Sequence, residues 1–213
     1  MTATLAAFQA SHPVTRRKIA DVMGFGGASW LERPERETEE QPETALNLLK
    51  LTPGMVVADM GAGSGYFTRR MAKRVAPEGK VYAVEIQPKM IDLLKRNMER
   101  DKITNYEAVL GTENDPKLPG GSIDMILMVD VYHELSQPQA MLRKFREALK
   151  PDGRLVLLEY RKEDPEVPIR FEHKMSVKEV KAELEAEGLF RFDKLFTELP
   201  RQHLLVFRPA PIQ

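Results

Sequence analysis

The chain has 213 residues, of which 42% are hydrophobic, enough for one compact domain with a sizeable core. Its 32 basic and 32 acidic side chains cancel, which argues against nucleic-acid binding through bulk positive charge, and no apolar run approaches the ~20 residues of a membrane span. Cysteine is absent, so disulfides, thiolate zinc sites, iron–sulfur clusters and cysteine nucleophiles are excluded.

Met1 to Ala10 has no basic n-region and only a short apolar stretch, so no signal peptide is expected. Cytoplasm is the expected location, with a trimmed leader as the alternative. Residues 1–42 read as an N-terminal arm: a basic Thr15 to Lys18, a Gly-rich Met23 to Trp30, then a stretch dense in Glu and Arg. Such composition forms irregular chain or short helices. The arm is expected to act as a lid that brings Trp30, or Phe25 beside it, to the wall of a site. A homodimer arm or a solvated tail are the competing readings.

Residues 43–213 are regular. Thr44 to Leu51 reads as a short amphipathic helix, and Met55 to Met60 as a strand buried on both faces. Gly61 to Gly65 leads into a helix with Phe67, Met71 and Val75 inward. Lys80 to Ile86 is a strand, and Pro88 opens a helix whose buried stripe is Met90, Ile91, Leu94 and Met98. Tyr106 to Leu110 and Ile123 to Val129 are strands. Gln137 to Lys150 is a helix stopped by Pro151-Asp152-Gly153, with a strand from Arg154 to Tyr160 beyond it. Ser176 and Glu179 form a capping box for a helix ending at Gly188. Phe190 to Leu199 and Gln202 to Phe207 are too close for a crossover and must form an antiparallel hairpin. The fold class that follows is α/β. It is a Rossmann-like, seven-stranded, mostly parallel sheet with an antiparallel last strand and helices on both faces.

Ligands of such sheets bind beyond the carboxyl ends of the strands, where strand order reverses. The first of those loops reads Asp59-Met-Gly61-Ala-Gly63-Ser-Gly65-Tyr66. Tyr66 occupies the place of a dinucleotide fold's third glycine, which weighs against an oxidoreductase. The glycines let backbone pass close under a nucleoside, and Asp59 supplies charge for a cationic amino group. Glu85, at the end of the second strand, can accept from both hydroxyls of a ribose.

These residues resemble the class I S-adenosylmethionine-dependent methyltransferases over roughly residues 43 to 207. Val57 to Gly65 matches the first motif, Glu85 the ribose acid, and Leu149 to Leu155 the entry to the fifth strand. Within that superfamily the chain is distantly similar to the ubiquinone/menaquinone-biosynthesis methyltransferases. The resemblance implies that Gly61, Gly63 and Gly65 line the methionine end of S-adenosylmethionine. Thr112 stands where the family carries an adenine-binding Asp, so Glu113 or backbone must serve. The full expected cofactor set adds Asp59, Tyr66, Ile86 and Asp130.

Methyl transfer from a sulfonium needs alignment and, where required, removal of a proton. His133 is the candidate general base, with Asp130, Tyr132 and Glu159 beside it, and Trp30, His173, Arg201 and His203 are the candidate acceptor contacts. A small-molecule acceptor is expected. A protein acceptor and a non-catalytic S-adenosylmethionine-binding module are the alternatives. His133, Glu134, Glu159, His173 and His203 include good metal donors, but they come from separate loops without a ligand spacing, so no metal is expected.

Overall fold

A computed structural model describes residues 10–211. The Met1 to Gln9 part of the stretch read for a leader lies outside them. The eight strands are β1 (Val56–Met60), β2 (Lys80–Glu85), β3 (Tyr106–Leu110), β4 (Ile123–Val129), β5 (Leu149–Arg161), β6 (Lys174–Met175), β7 (Phe190–Phe196) and β8 (Gln202–Pro209). The helices are α1 (Arg36–Glu39), α2 (Pro42–Leu49), α3 (Tyr66–Val75), α4 (Pro88–Arg100), α5 (Pro138–Ala148) and α6 (Val177–Glu185). The sheet runs β3-β2-β1-β4-β5-β8-β7, with β6 paired to β5 off that path. β8 is antiparallel to both β5 and β7, and the ladders joining β1 to β5 are parallel.

Alternation along each strand feeds two cores. Val57, Met125, Leu127, Val156 and Leu158 face α2 and α3, whereas Ala58, Met60, Ile126, Met128 and Leu157 face α5 and α6. Leu94 and Met98 seat α4 on Ala83, over the β2–β3 edge. No helix among the described residues is long and apolar enough to cross a membrane.

Several element ends differ from expectation by a few residues, and one strand was not expected. α2 begins at Pro42 rather than Thr44 because proline suits a first helical position. β5 begins at Leu149 rather than Arg154, since Leu149 pairs with Ile123 and the ladder then shifts register before Met125 pairs with Arg154. Tertiary pairing thus overrides the Pro-Asp-Gly turn signal. The eighth strand, β6, is two residues long and pairs Tyr160 with Lys174. It is too short to carry a period.

The arm forms a 3₁₀ segment, Phe25–Glu32, and the short helix α1. A buried polar joint anchors its start: Arg17 donates twice to Glu183 of α6, at 2.9 and 3.1 Å, and once to the carbonyl of His133 at 3.0 Å. His12, fully buried, lies between Tyr132 and Glu183.

Candidate functional site

Strand order reverses between β1 and β4, so the loops after β1, β2, β4 and β5 converge at one end of the sheet. A cavity of about 750 Å³ opens there. Its floor is Gly61, Gly63, Glu85 and Ile86, with Thr112 and Glu113 at one end and Asp130, His133 and His173 at the other. Val22, Met23, Trp30 and Leu31 of the arm complete the wall. Of the expected residues, these ten are brought together: Trp30, Gly61, Gly63, Glu85, Ile86, Thr112, Glu113, Asp130, His133 and His173.

The remaining seven are placed elsewhere. Asp59 is buried behind the glycine loop, accepting from Thr68 Oγ1 at 2.6 Å, and burial pushes its carboxyl up to about 6. Gly65 starts α3 rather than touching the cavity; its φ of +83° and its closeness to Met98 forbid a side chain. Tyr66 donates to Glu37 Oε1 at 2.6 Å and lies under the guanidinium groups of Arg36 and Arg70, so it fastens the arm rather than lining the cavity. Tyr132 is fully buried with its hydroxyl 3.3 Å from His12 Nε2. Arg201 pairs with Glu39 at 2.8 Å, and His203 is buried in β8 opposite Glu159. Glu159 is fully buried and reaches the cavity only through His133.

That contact organises the His133 end of the cavity. Glu159 Oε2 accepts from His133 Nδ1 at 2.6 Å, and its other oxygen accepts from the Tyr132 amide at 2.9 Å. With Nδ1 so occupied, the other ring nitrogen, Nε2, faces His173, whose Nδ1 lies 3.1 Å away. Glu134 Oε1 lies 3.8 Å from His133 Nε2 and 3.7 Å from His173 Nδ1. Burial pushes the Glu134 carboxyl up to about 7, against the pull of His133, and burial lowers His173 below its ordinary value. These donors do come from separate segments without a ligand spacing, yet the fold brings three of them, His133, Glu134 and His173, within 4.8 Å of one another.

Asp130 sits at the end of β4 with φ +53°, a conformation costly for a non-glycine residue and common at functional sites. One carboxylate oxygen accepts from Gln202 at 2.8 Å; the other, Oδ1, is buried without a partner. Burial, reinforced by Glu40 and Glu159, holds this carboxyl well above the usual range.

Sequence reasoning missed Arg36 and Glu40. Both are buried, 2.6 Å apart, and Arg36 lines the cavity. Their four-residue spacing was visible, but in a stretch so rich in charge it reads as a solvated pair.

Residues 51–196, more than half of the chain, match the methyltransferase domain family. The chain belongs to that family. A SAM-dependent methyltransferase from Aquifex aeolicus has the same fold, with a TM-score of 0.83 at 27% identity over 89% of this chain and 100% of that one. A protein-L-isoaspartate O-methyltransferase of Methanothrix thermoacetophila is 32% identical over 111 residues, 52% of this chain and 50% of the relative. A demethylmenaquinone methyltransferase of Tropheryma whipplei is 34% identical over 116 residues, 54% of this chain and 46% of the relative. The chain spans about half the length of these curated relatives.

S-adenosylmethionine is the cofactor this family membership implies, and the cavity fits it. A Cβ on Gly61 would meet Val131 at 2.5 Å and one on Gly63 would meet Leu31 at 2.7 Å, so glycine is the residue that fits at both cavity-lining positions. Glu85 presents a carboxylate for ribose, and the unpartnered Asp130 Oδ1 suits an ammonium group.

Proposed function

We propose that this methyltransferase-family chain acts on a small-molecule acceptor, with His133 as the general base. S-adenosylmethionine supplies an activated methyl group on a sulfonium. Gly61, Gly63, Glu85 and Asp130 would hold it, and Thr112 and Glu113 would stand at its adenine end. The chain's own task is then to align the acceptor, exclude water and take a proton. The observation that carries the reading is the His133–Glu159 contact at 2.6 Å. A buried carboxylate on Nδ1 fixes the ring and its tautomer, and leaves Nε2 as the atom that can receive a proton at the cavity wall.

Size supports a small acceptor. The cavity of about 750 Å³ must hold the cofactor as well as the acceptor, so the space left at the His133 end suits a small molecule. The described part of the arm, residues 10–42, acts in this reading as a lid over the domain that follows from residue 43. Val22, Met23, Trp30 and Leu31 and the Pro168–His173 loop roof the acceptor side, where an extended polypeptide would need an open groove.

The test is formation of S-adenosylhomocysteine over a panel of small hydroxyl, amine and carbon acids, with isoaspartyl and unmodified peptides in parallel. Turnover of a small molecule, with His133→Gln lowering kcat at least a hundredfold at unchanged cofactor affinity, is the expected result. Methylation of peptides alone would move the acceptor to protein, and full activity of His133→Gln would remove the base.

A further inference from the structure

We infer that His133, Glu134 and His173 form a binding site for one divalent transition-metal cation at the acceptor end of the cavity. Donor atoms ~2.1 Å from one ion lie about 3.0 Å apart at octahedral right angles and about 3.4 Å apart in a tetrahedron. Here the two imidazole nitrogens are 3.1 Å apart, and Glu134 Oε1 is 3.8 and 3.7 Å from them. A movement of about half an ångström by the carboxylate would close the set. A hydrogen bond between the two rings accounts for the 3.1 Å but not for Glu134. At 3.7–3.8 Å its oxygen is too far to bond either ring, yet it converges on both.

Two further observations point the same way. His133 carries its outer carboxylate already: Glu159 Oε2 on Nδ1 at 2.6 Å, in the carboxylate–histidine arrangement that orients imidazole ligands. The local charge is also unbalanced. Among the described residues, Glu134 and Glu159 have ion-pair partners only in histidines, with no Lys or Arg nitrogen within 4.0 Å of either carboxylate. A bound cation would neutralise this corner.

Two imidazoles and one carboxylate suit Zn²⁺, Mn²⁺, Fe²⁺, Co²⁺ or Ni²⁺ better than Mg²⁺ or Ca²⁺, which prefer all-oxygen sets. Three protein ligands leave positions open to the cavity, as in catalytic rather than structural sites. This inference rests on the proposal that the acceptor sits at this corner. It selects acceptors that can coordinate: a hydroxyl binds the cation, its O–H bond breaks, the proton goes to water, and the electron pair stays on the coordinated oxygen. In that loaded form His133 is a ligand; in the metal-free form it is the base.

The experiment is calorimetric titration of chelator-treated, full-length protein with Zn²⁺ and with Co²⁺ alone, the cobalt complex also followed by its visible absorption. One equivalent per chain with a tetrahedral or five-coordinate cobalt spectrum is expected. Glu134→Gln and His173→Phe should abolish saturable binding, and Glu159→Gln should weaken it by ~10–100-fold. Retained S-adenosylhomocysteine affinity and a single cooperative thermal transition show that these variants are folded. No saturable binding, or binding that the variants leave intact, overturns the inference. Metal binding is read without acceptor, so failure of the small-molecule reading leaves the titration standing. Methylation that persists in chelator with no metal bound would leave His133 as base and remove only the cation.

Discussion

Replacing Glu85 by alanine tests the cofactor site at a carboxylate that backbone amides hold in place. Its carboxylate is buried and accepts from three backbone amides: Gly63 at 3.1 Å, Ile86 at 2.7 Å and Gln87 at 2.9 Å. A carboxylate offers about four lone-pair positions, so one remains, enough for a single ribose hydroxyl rather than the two expected from the sequence. Loss of one charge-assisted hydrogen bond is worth ~1.5–3 kcal/mol, or roughly a tenfold to hundredfold rise in Kd. Calorimetry with S-adenosylhomocysteine measures it, and a thermal scan reports any loosening of the Gly63 loop. A 2′,3′-dideoxy ligand separates the two effects. It should bind the wild type more weakly than the natural ligand does, while Glu85→Ala should no longer distinguish the two. If Glu85→Ala keeps a Kd within threefold of wild type, or if it still discriminates the ribose hydroxyls, the ribose lies elsewhere and this use of Glu85 is refuted.

Arg17→Met strands the buried Glu183 carboxylate and should cost ~3–5 kcal/mol in urea unfolding, most of it recovered in Arg17→Met/Glu183→Leu; a loss below about 1 kcal/mol would show the joint to be solvated. His12 is held down to about 4 by burial and by Arg17, against 6.5 in the unfolded chain. Its contribution to stability is therefore complete above pH 6.5 and lost as pH falls toward 4, because only the unfolded chain takes up the proton in that window. Denaturant midpoints at pH 7 and 5 should fall further apart in the wild type than in His12→Gln, and equal differences would contradict the assignment. Trp30 is the only tryptophan and lines the cavity, so ligand binding should change its emission; calorimetric binding with an unchanged spectrum would place Trp30 away from both ligands.

The parts of the site that were legible are those where local pattern and tertiary role coincide. β1 and β4 are apolar on both faces because helices cover both faces, and their ends had to carry the loops. Gly61 and Gly63 could be read because φ of +74° and +52° with no room for a Cβ leaves glycine as the residue that fits. The Ser176–Glu179 capping box is local and formed as expected. Tyr66 shows the limit. Its place next to the glycine loop suggested cofactor contact, but its side chain is claimed by Glu37 and by the stacked Arg36 and Arg70, partners that only the folded arm supplies.

The histidine corner depends on a feature with no sequence signature at all. His173 lies 40 residues from His133, and what carries it there is β6, whose two residues pair with Tyr160 and Arg161 at the far end of β5. Glu159, one residue before that pairing, points into the His133 ring, so one strand end supplies the carboxylate behind the first histidine and the docking edge for the second. From the other side, the Arg17 side chain and the Ala20 amide both donate to the His133 carbonyl, at 3.0 and 3.1 Å. The ring is therefore held through its backbone by the arm and through Nδ1 by the sheet. A reactive imidazole in a cavity loses entropy and gains aim by such fixing, since catalytic geometry tolerates little misplacement. The arm's contacts at residues 12–20 are then structural, and under the proposed reading the covering role falls to Val22 through Leu31. Substitution within 22–31 should alter acceptor access while leaving the His133 segment in place, whereas loss of the Arg17 joint should disturb both.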